Sequence, residues 1–306
     1  MLGIIIVNYK TIDETVHYVQ QELCKIKTPH RIVIVNVACD AQSNAALTQK
    51  LQACFVADIY ATIDTSSRIF VLAETENLGY ARGNNLGAAF FKRHFDMMYY
   101  LISNNDIQLT DDKIVLNLIN KLETLPDVGA IGPKVVGYDG QDQSPARKVG
   151  IWKALVVPVL FYPVLYFFLK KGFFTDVISD ACEGIYYRFS GAFILVKKKV
   201  FDAINGFDPN TFLFAEEMIL SERMLAAGYY FYFFPSVSVL HEQGQVIKNS
   251  LKDLAVSRHS LTSKLYYYEK YCGANFFSLW AARFASEVFD TLYLPIILWG
   301  RKIAKK

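Results

Sequence analysis

Short apolar runs alternate with longer amphipathic stretches through the first half of the chain. Residues 2–7, 31–37, 68–73 and 97–103 are brief, apolar and mostly rich in β-branched or aromatic side chains, the pattern of strands buried on both faces. Between them the spacing predicts helices over 13–23, 44–54 and 84–95. Strands separated by helices predict βαβ units, hence an α/β fold with a mostly parallel central sheet flanked by helices. Ligands of such sheets bind beyond the carboxyl ends of the strands. Polar residues at those ends are therefore the first candidates for chemistry.

After Pro126 the rhythm changes. Residues 130–136 read as a strand, 137–148 as a polar loop, and 154–169 as an uncharged stretch flanked by Lys153, Lys170 and Lys171. That stretch is shorter than the ~20 residues a helix needs to span a bilayer, so it reads as a buried or interfacial hairpin. Further strands are predicted at 189–196 and 229–234, with a helix at 215–227 between them. From about 252 the chain is helical and aromatic, ending in an apolar run at 292–299 and the cations Arg301, Lys302, Lys305 and Lys306. The pattern divides the chain into a unit over 1–248, including the apolar insertion at about 150–180, and an aromatic-rich helical extension over 249–306.

Composition sharpens this picture. Of the 306 residues 53% are hydrophobic and 15% aromatic, and the mean hydropathy is +0.20. That surplus has to be buried in a core, a partner or a lipid surface. A net charge of +3 gives no argument for a nucleic-acid partner. Five scattered cysteines without a CxxC pair read as reduced thiols of a cytoplasmic protein. The opening run at 4–7 is too short for a signal-peptide core.

Four polar clusters fall where strands should end. The first is Asn8-Tyr9. The second runs from Asn77 to Gly87 and holds Gly79, Arg82 and Asn85. Its glycines permit tight turning and close backbone approach to a ligand, and Arg82 suits a phosphate. Its plainer reading is a turn entering a helix. The third, Ser103-Asn104-Asn105-Asp106, follows a very apolar strand. One carboxylate beside a diphosphate suffices to hold Mg²⁺ or Mn²⁺, whereas the plainer reading makes Asp106 a turn or helix-cap residue. The fourth runs from Phe207-Asp208 to Glu216-Glu217. Paired acids at a helix start suit the helix dipole, and a carboxylate against apolar walls also suits general-base work. His241, after the last strand, is either structural or a metal ligand.

In this order the clusters resemble the GT-A-fold glycosyltransferases of family 2, in particular the rhamnosyltransferase-like enzymes of bacterial surface-polysaccharide assembly. The family's opening V-N-Y sequence is Val7-Asn8-Tyr9 here, and its N-x-G-x-x-x-G-x-N-x-G stretch matches Asn77 to Gly87. Its metal motif is Asn104-Asn105-Asp106, its S-G-A segment Ser190-Gly191-Ala192, and its G-F-D-to-E-D block Gly206 to Glu217. The resemblance spans about 2–245 and implies Glu217 as the general base of inverting transfer. It implies Asp106 and His241 as ligands of Mg²⁺ or Mn²⁺, and Val7, Asn8, Tyr9, Asn36, Asn77, Gly79, Arg82, Asn85, Asn104, Asn105 and Asp106 around a nucleotide-sugar donor. Ser190, Gly191 and Glu216 fall in the sugar and acceptor pocket.

Two departures stand out. Where the family has a D-N-A-S type sequence that reads the base, this chain has Asn36-Val37-Ala38-Cys39, and the second acid of the E-D pair is Glu217. The first keeps a second reading open, a catalytically silent sugar-nucleotide-binding or scaffold protein. A dinucleotide-binding oxidoreductase fits poorly, because G-x-G-x-x-G is absent. The resemblance implies a nucleoside-diphosphate sugar and a glycan or polyprenyl-linked acceptor as partners, and leaves a homodimer open. The aromatic and basic segments at 154–169 and 292–306 suit an anionic membrane surface, placing the protein peripherally at the inner face of the cell membrane.

Overall fold

The computed structural model describes residues 1–161, 176–242 and 250–293. The apolar runs become β1 (Leu2–Asn8), β2 (His30–Val37), β3 (Cys54–Val56), β4 (Ile69–Glu74), β5 (Tyr99–Ser103), β6 (Ile107–Leu109), β7 (Val128–Gly137), β8 (Gly184–Tyr186), β9 (Phe193–Lys197) and β10 (Tyr230–His241). The helices are α1 (Ile12–His17), α2 (Ala41–Leu51), α3 (Gly79–His94), α4 (Ile114–Glu123), α5 (Val157–Leu160), α6 (Lys198–Ala203), α7 (Glu216–Ala226), α8 (Ser250–Cys272) and α9 (Phe276–Val288).

Among the described residues the strands form one sheet in the order β3-β4-β2-β1-β5-β9-β7-β10-β6, with β8 on β10. The half from β3 to β5 is wholly parallel. Beyond it β9 runs antiparallel between β5 and β7, and β10 is parallel to β7. Alternation of side chains puts Ile4 and Ile6 of β1 in one core layer and Ile5 in the other. A third core joins Ile151, Leu155, Ala215 and Ile219 to Tyr267, Tyr268, Leu279 and Ala282 of the last two helices.

Several elements differ from expectation for identifiable reasons. The strand expected at 229–234 continues to His241 as β10, through a register irregularity between Phe234 and Ser238 around Pro235, which has no N–H to give the ladder. The helix expected over 13–23 is α1 followed by wider and tighter turns at Tyr18–Glu22 and Leu23–Lys25. Strands β3, β6 and β8 are too short to carry a readable period. Helix α3 starts before 84, and its glycines serve packing. A Cβ on Gly83 would meet Val7 at 2.9 Å, and one on Gly87 would meet Ile5 at 2.5 Å, so both glycines let α3 lie close on β1. The apolar stretches at 154–169 and 292–299 fall in part outside the described residues, as does the basic tail. No helix among the described residues is long and apolar enough to cross a membrane.

Candidate functional site

The carboxyl ends of β1, β2 and β5 lie side by side, with Asn8 in register with Asn36. Both asparagines are buried and bonded within the protein. Asn8 Nδ2 donates to Asn36 Oδ1 at 2.6 Å, while Asn8 Oδ1 accepts from Thr11 and Thr15 at 2.9 and 2.8 Å. Asn36 Nδ2 reaches Asn44 Oδ1 at 2.8 Å. Asn105 Nδ2 donates to the same two threonines, at 2.7 Å each. These amides thus form a strut that fixes the strand ends relative to one another. Val7 packs on Gly83, and Tyr9 stands exposed at the rim with Lys10 over its ring.

The 77–87 stretch divides in the same way. Asn77 Oδ1 accepts from Gly79 N at 3.1 Å, a local turn that prepares α3. Gly79 has φ +69°, and a Cβ there would meet Phe212 O at 2.1 Å, so only glycine fits. Asn85 clamps the Phe207 backbone from both sides, at 2.8 and 2.9 Å. Arg82, like Asn77, is exposed.

Asp106 precedes β6, so it is not the cap of α4, whose N-cap is Lys113. Its Oδ1 lies 3.2 Å from His241 Nε2. The other ring nitrogen, Nδ1, sits 2.6 Å from Gln143 Oε1, which has only lone pairs to offer. Nδ1 therefore carries the proton, and Nε2 turns toward Asp106, with Asn104 Nδ2 at 3.3 Å. Asp106 Oδ1 is itself buried without a hydrogen-bond partner. A carboxylate oxygen and an imidazole lone pair this close call for a cation between them. The pair therefore fits a divalent metal, with Gln143 fixing the ring as an outer partner does. No cluster of three or more His, Cys, Asp or Glu forms among the described residues. Two protein ligands leave positions for diphosphate oxygens and water, as Mg²⁺ sites commonly do.

Glu217 sits in the first turn of α7 and accepts from Gly191 N through Oε1 at 3.0 Å. The other side of that glycine is held by Tyr80, whose hydroxyl donates to Gly191 O at 2.6 Å. The helix is entered through Phe214 and Ala215, both left-handed at φ +70° and +67°. Two consecutive non-glycine residues in that region store strain of about 1–3 kcal/mol each. Their surroundings hold them there: Ala215 is buried in the third core, and Ser263 Oγ donates to Leu213 O at 2.9 Å. Neighbouring Glu216 is buried, with an unpartnered Oε1. Burial, and then the charge of Glu217, push its carboxyl up to about 8. Both causes favour the protonated form of Glu216. Arg188, paired with Asp176, and the half-buried Lys264 direct positive charge toward Glu217. Ser190 lies half-buried next to Gly191, its Oγ 3.4 Å from Ala192 N.

One chain of contacts joins these parts. His241 meets Asp106 and Asn104, Asn104 N donates to Ala192 O at 2.9 Å, and adjoining Gly191 holds Glu217 and Tyr80. Residues at 80, 104–106, 190–192, 217 and 241 therefore share one place at the carboxyl end of the sheet. Asn8, Asn36, Asn85 and Asn105 support it from within, and exposed Asn77 shapes the turn into α3. Tyr80, Gln143, Arg188 and Lys264 have no distinguishing local pattern and emerge only in three dimensions. Tyr80, inside the glycine-rich stretch, is the one that proximity to a motif could have flagged. A separate hollow lined by Tyr60, Arg93 and His94 shares no residue with this site.

No family model matches the chain. It is 26% identical over 153 residues to an N-acetylglucosaminyl-diphospho-decaprenol L-rhamnosyltransferase of Mycobacterium tuberculosis, a match covering 47% of each chain. It is 25% identical over 174 residues to the rhamnosyltransferase WbbL of Escherichia coli, covering 53% of this chain and 60% of that one. The chain thus spans about half the length of the curated relatives it matches. Among solved structures, the mannosyltransferase PcManGT from Pyrobaculum calidifontis, in complex with GDP-Man and Mn²⁺, superposes with a TM-score of 0.52 at 16% identity. That match covers 100% of this chain and 80% of the other. GalNAc-T7 with UDP, GalNAc and Mn²⁺ gives 0.52 at 14% identity over 79% and 43%. The fold is that of the GT-A glycosyltransferases, and the sequence resembles the rhamnosyltransferase-like members of family 2.

Proposed function

We propose that this chain is an inverting glycosyltransferase that moves a sugar from a nucleoside-diphosphate donor to a hydroxyl of a polyprenyl-linked glycan acceptor in surface-polysaccharide assembly. The observation that carries the reading is the contact chain from His241 and Asp106 through Asn104 and Ala192–Gly191 to Glu217. It sets a metal-fitting pair and a carboxylate on either side of one short backbone segment.

In this reading Asp106 and His241 hold Mg²⁺ or Mn²⁺, which when bound supplies positive charge against the departing nucleoside diphosphate. Exposed Arg82 meets the donor phosphates at the start of α3, where the helix dipole also favours anions. Glu217 takes the acceptor proton as the hydroxyl oxygen bonds to the anomeric carbon and the bond from that carbon to the diphosphate oxygen breaks. Gly191 N–H orients the base through Oε1 and leaves Oε2 for the proton. Tyr80 keeps the Gly191 peptide from turning. Residues 1–248 form the transferase unit and 249–306 an extension, whose described helices α8 and α9 pack against the helix bearing Glu217. The protein works at the inner face of the membrane, where a lipid-linked acceptor resides.

Exchange of Glu217 for Gln is expected to lower turnover at least about 100-fold, within the range of a lost general base. Calorimetric affinity for the donor stays unchanged. Asp106→Ala and His241→Ala each remove the metal-dependent part of nucleotide affinity. Wild-type turnover by Glu217→Gln, or metal-dependent binding that survives Asp106→Ala, overturns the assignment. Wild-type protein that binds a nucleotide sugar but never transfers or hydrolyses it is instead a silent binding protein.

A further inference from the structure

Helix α9 carries two unlike faces. Leu279, Ala281, Ala282 and Ala285 are buried in or beside the third core. Phe277, Trp280 and Phe284, spaced to share the opposite face, stand 61, 51 and 47% exposed. Their rings form one surface. Phe277 and Trp280 stack at 6.2 Å and 24°, Trp280 and Phe284 at 5.6 Å and 10°, and Trp152 joins Phe277 at 5.9 Å. Phe276, Phe161 and Leu292 add more exposed apolar area. An apolar face of this size on a helix already packed on its other side marks an interaction site.

We infer that Trp152, Phe277, Trp280 and Phe284 form an aromatic platform that seats the protein on an anionic lipid surface; the inference rests on the membrane-facing part of the proposed function. Tryptophan and phenylalanine on one face of a surface helix suit the boundary between headgroups and acyl chains. Charge identifies the occupant. The sequence just after Phe161 supplies Lys170 and Lys171, and the sequence after Tyr293 supplies Arg301, Lys302, Lys305 and Lys306, with no acid among residues 162–175 or 294–306. On α9 itself exposed Arg283 is matched by exposed Glu287, so the net positive charge comes from the flanking sequence. A sequence with this excess of cations is complemented by anionic headgroups, not by a second copy that carries the same excess. The platform is also rigidly tied to the site. Its helix shares the third core with Ala215 and Ile219, which bracket the turn bearing Glu217, so docking fixes the height of the base above the lipid.

The test is flotation of the full chain with phosphatidylcholine vesicles containing phosphatidylglycerol, beside the double variant Trp280→Ser/Phe284→Ser. Both positions are exposed, so the variant is expected to keep the wild-type melting temperature and donor affinity. Wild type co-floats, and the variant loses about tenfold or more in partitioning, as removal of two interfacial aromatics should produce. A second chain with Trp152→Phe and Trp299→Phe leaves Trp280 as the sole tryptophan, and its fluorescence is quenched by brominated lipid. Flotation of the variant equal to wild type, with Trp280 unquenched, overturns the platform while leaving membrane association through other segments. Wild-type protein that stays unbound overturns both. A dimer that the double variant converts to monomer, with flotation unchanged, makes the face a self-contact and also overturns the platform.

Discussion

A methyl group on Gly191 would stand 2.6 Å from Glu217 Oε1, closer than any real contact of that kind. Gly191→Ala is therefore expected to displace the base while leaving the sheet intact. Turnover falls at least about tenfold, since small misplacements of reacting groups are costly, and the melting temperature barely changes. Glu216 makes a different prediction. Its folded carboxyl titrates at about 8 because burial and the Glu217 charge favour the protonated form, whereas an unfolded glutamate titrates near ~4.3. The folded state binds the extra proton, so this contribution is fully present below about pH 4 and is lost as pH rises through about 8. Urea midpoints of the wild type should fall over that window, and Glu216→Gln should flatten the fall. At this scale Asp106, Glu217 and His241 were legible as candidates, because a carboxylate or imidazole at a strand or helix end is a local feature. The roles of Asn8, Asn36, Asn85 and Asn105 were not. An amide donates and accepts equally well toward a ligand or a neighbour, and only packing decides which partner it meets.

Among elements, the tie between the loop before α7 and helix α8 is the most consequential. Asp208 is buried and accepts from Tyr271 at 2.5 Å, Tyr266 at 2.9 Å and Asn210 N at 3.0 Å, with Lys270 at 3.6 Å. Burial pushes its carboxyl up, but the bonds from Tyr271, Asn210 and Tyr266 outweigh that and hold it at about 2. Asp208→Asn should cost about 1–3 kcal/mol at neutral pH, as loss of hydrogen bonds to a charged group does. The depressed carboxyl stabilises above the unfolded value of ~3.9, and that contribution disappears as pH falls toward about 2. Thermal melts of the two proteins should converge over that interval. The sequence showed a G-F-D block and an aromatic tail separately, with nothing to say that one clamps the other. The glycines of α3 teach the same lesson. They were visible as permissive positions, but Gly83 and Gly87 serve the contact of helix with sheet and face Val7 and Ile5.

For the whole molecule, the third core makes the described C-terminal helices and the sheet-bearing part of the chain mutually dependent. Tyr267, Tyr268, Leu279 and Ala282 cover Ile151, Ala215 and Ile219. A chain ending at 248 would expose that apolar surface and release the strained entry to α7. Such a truncation is expected to aggregate or melt well below the full chain in calorimetry, and to lose transfer even where donor binding persists. A truncated protein with full stability and turnover would make the extension a separate module. The parallel sheet and its four longer strands were readable, because each is an isolated apolar run separated from the next by a helix-like stretch. The antiparallel insertion of β9 between β5 and β7 was not, since it pairs residues about 95 positions apart.

The chain by itself determined where the longer strands and helices lie and which strand ends are polar, because period and polarity are properties of neighbouring residues. Tertiary structure alone decided that Nε2 of His241 faces an unpartnered oxygen of Asp106, that Gly191 aims Glu217, and that Asn8, Asn36, Asn85 and Asn105 brace the site from inside. Each of these depends on groups from distant segments meeting at hydrogen-bond distance, and only the packed sheet brings them together.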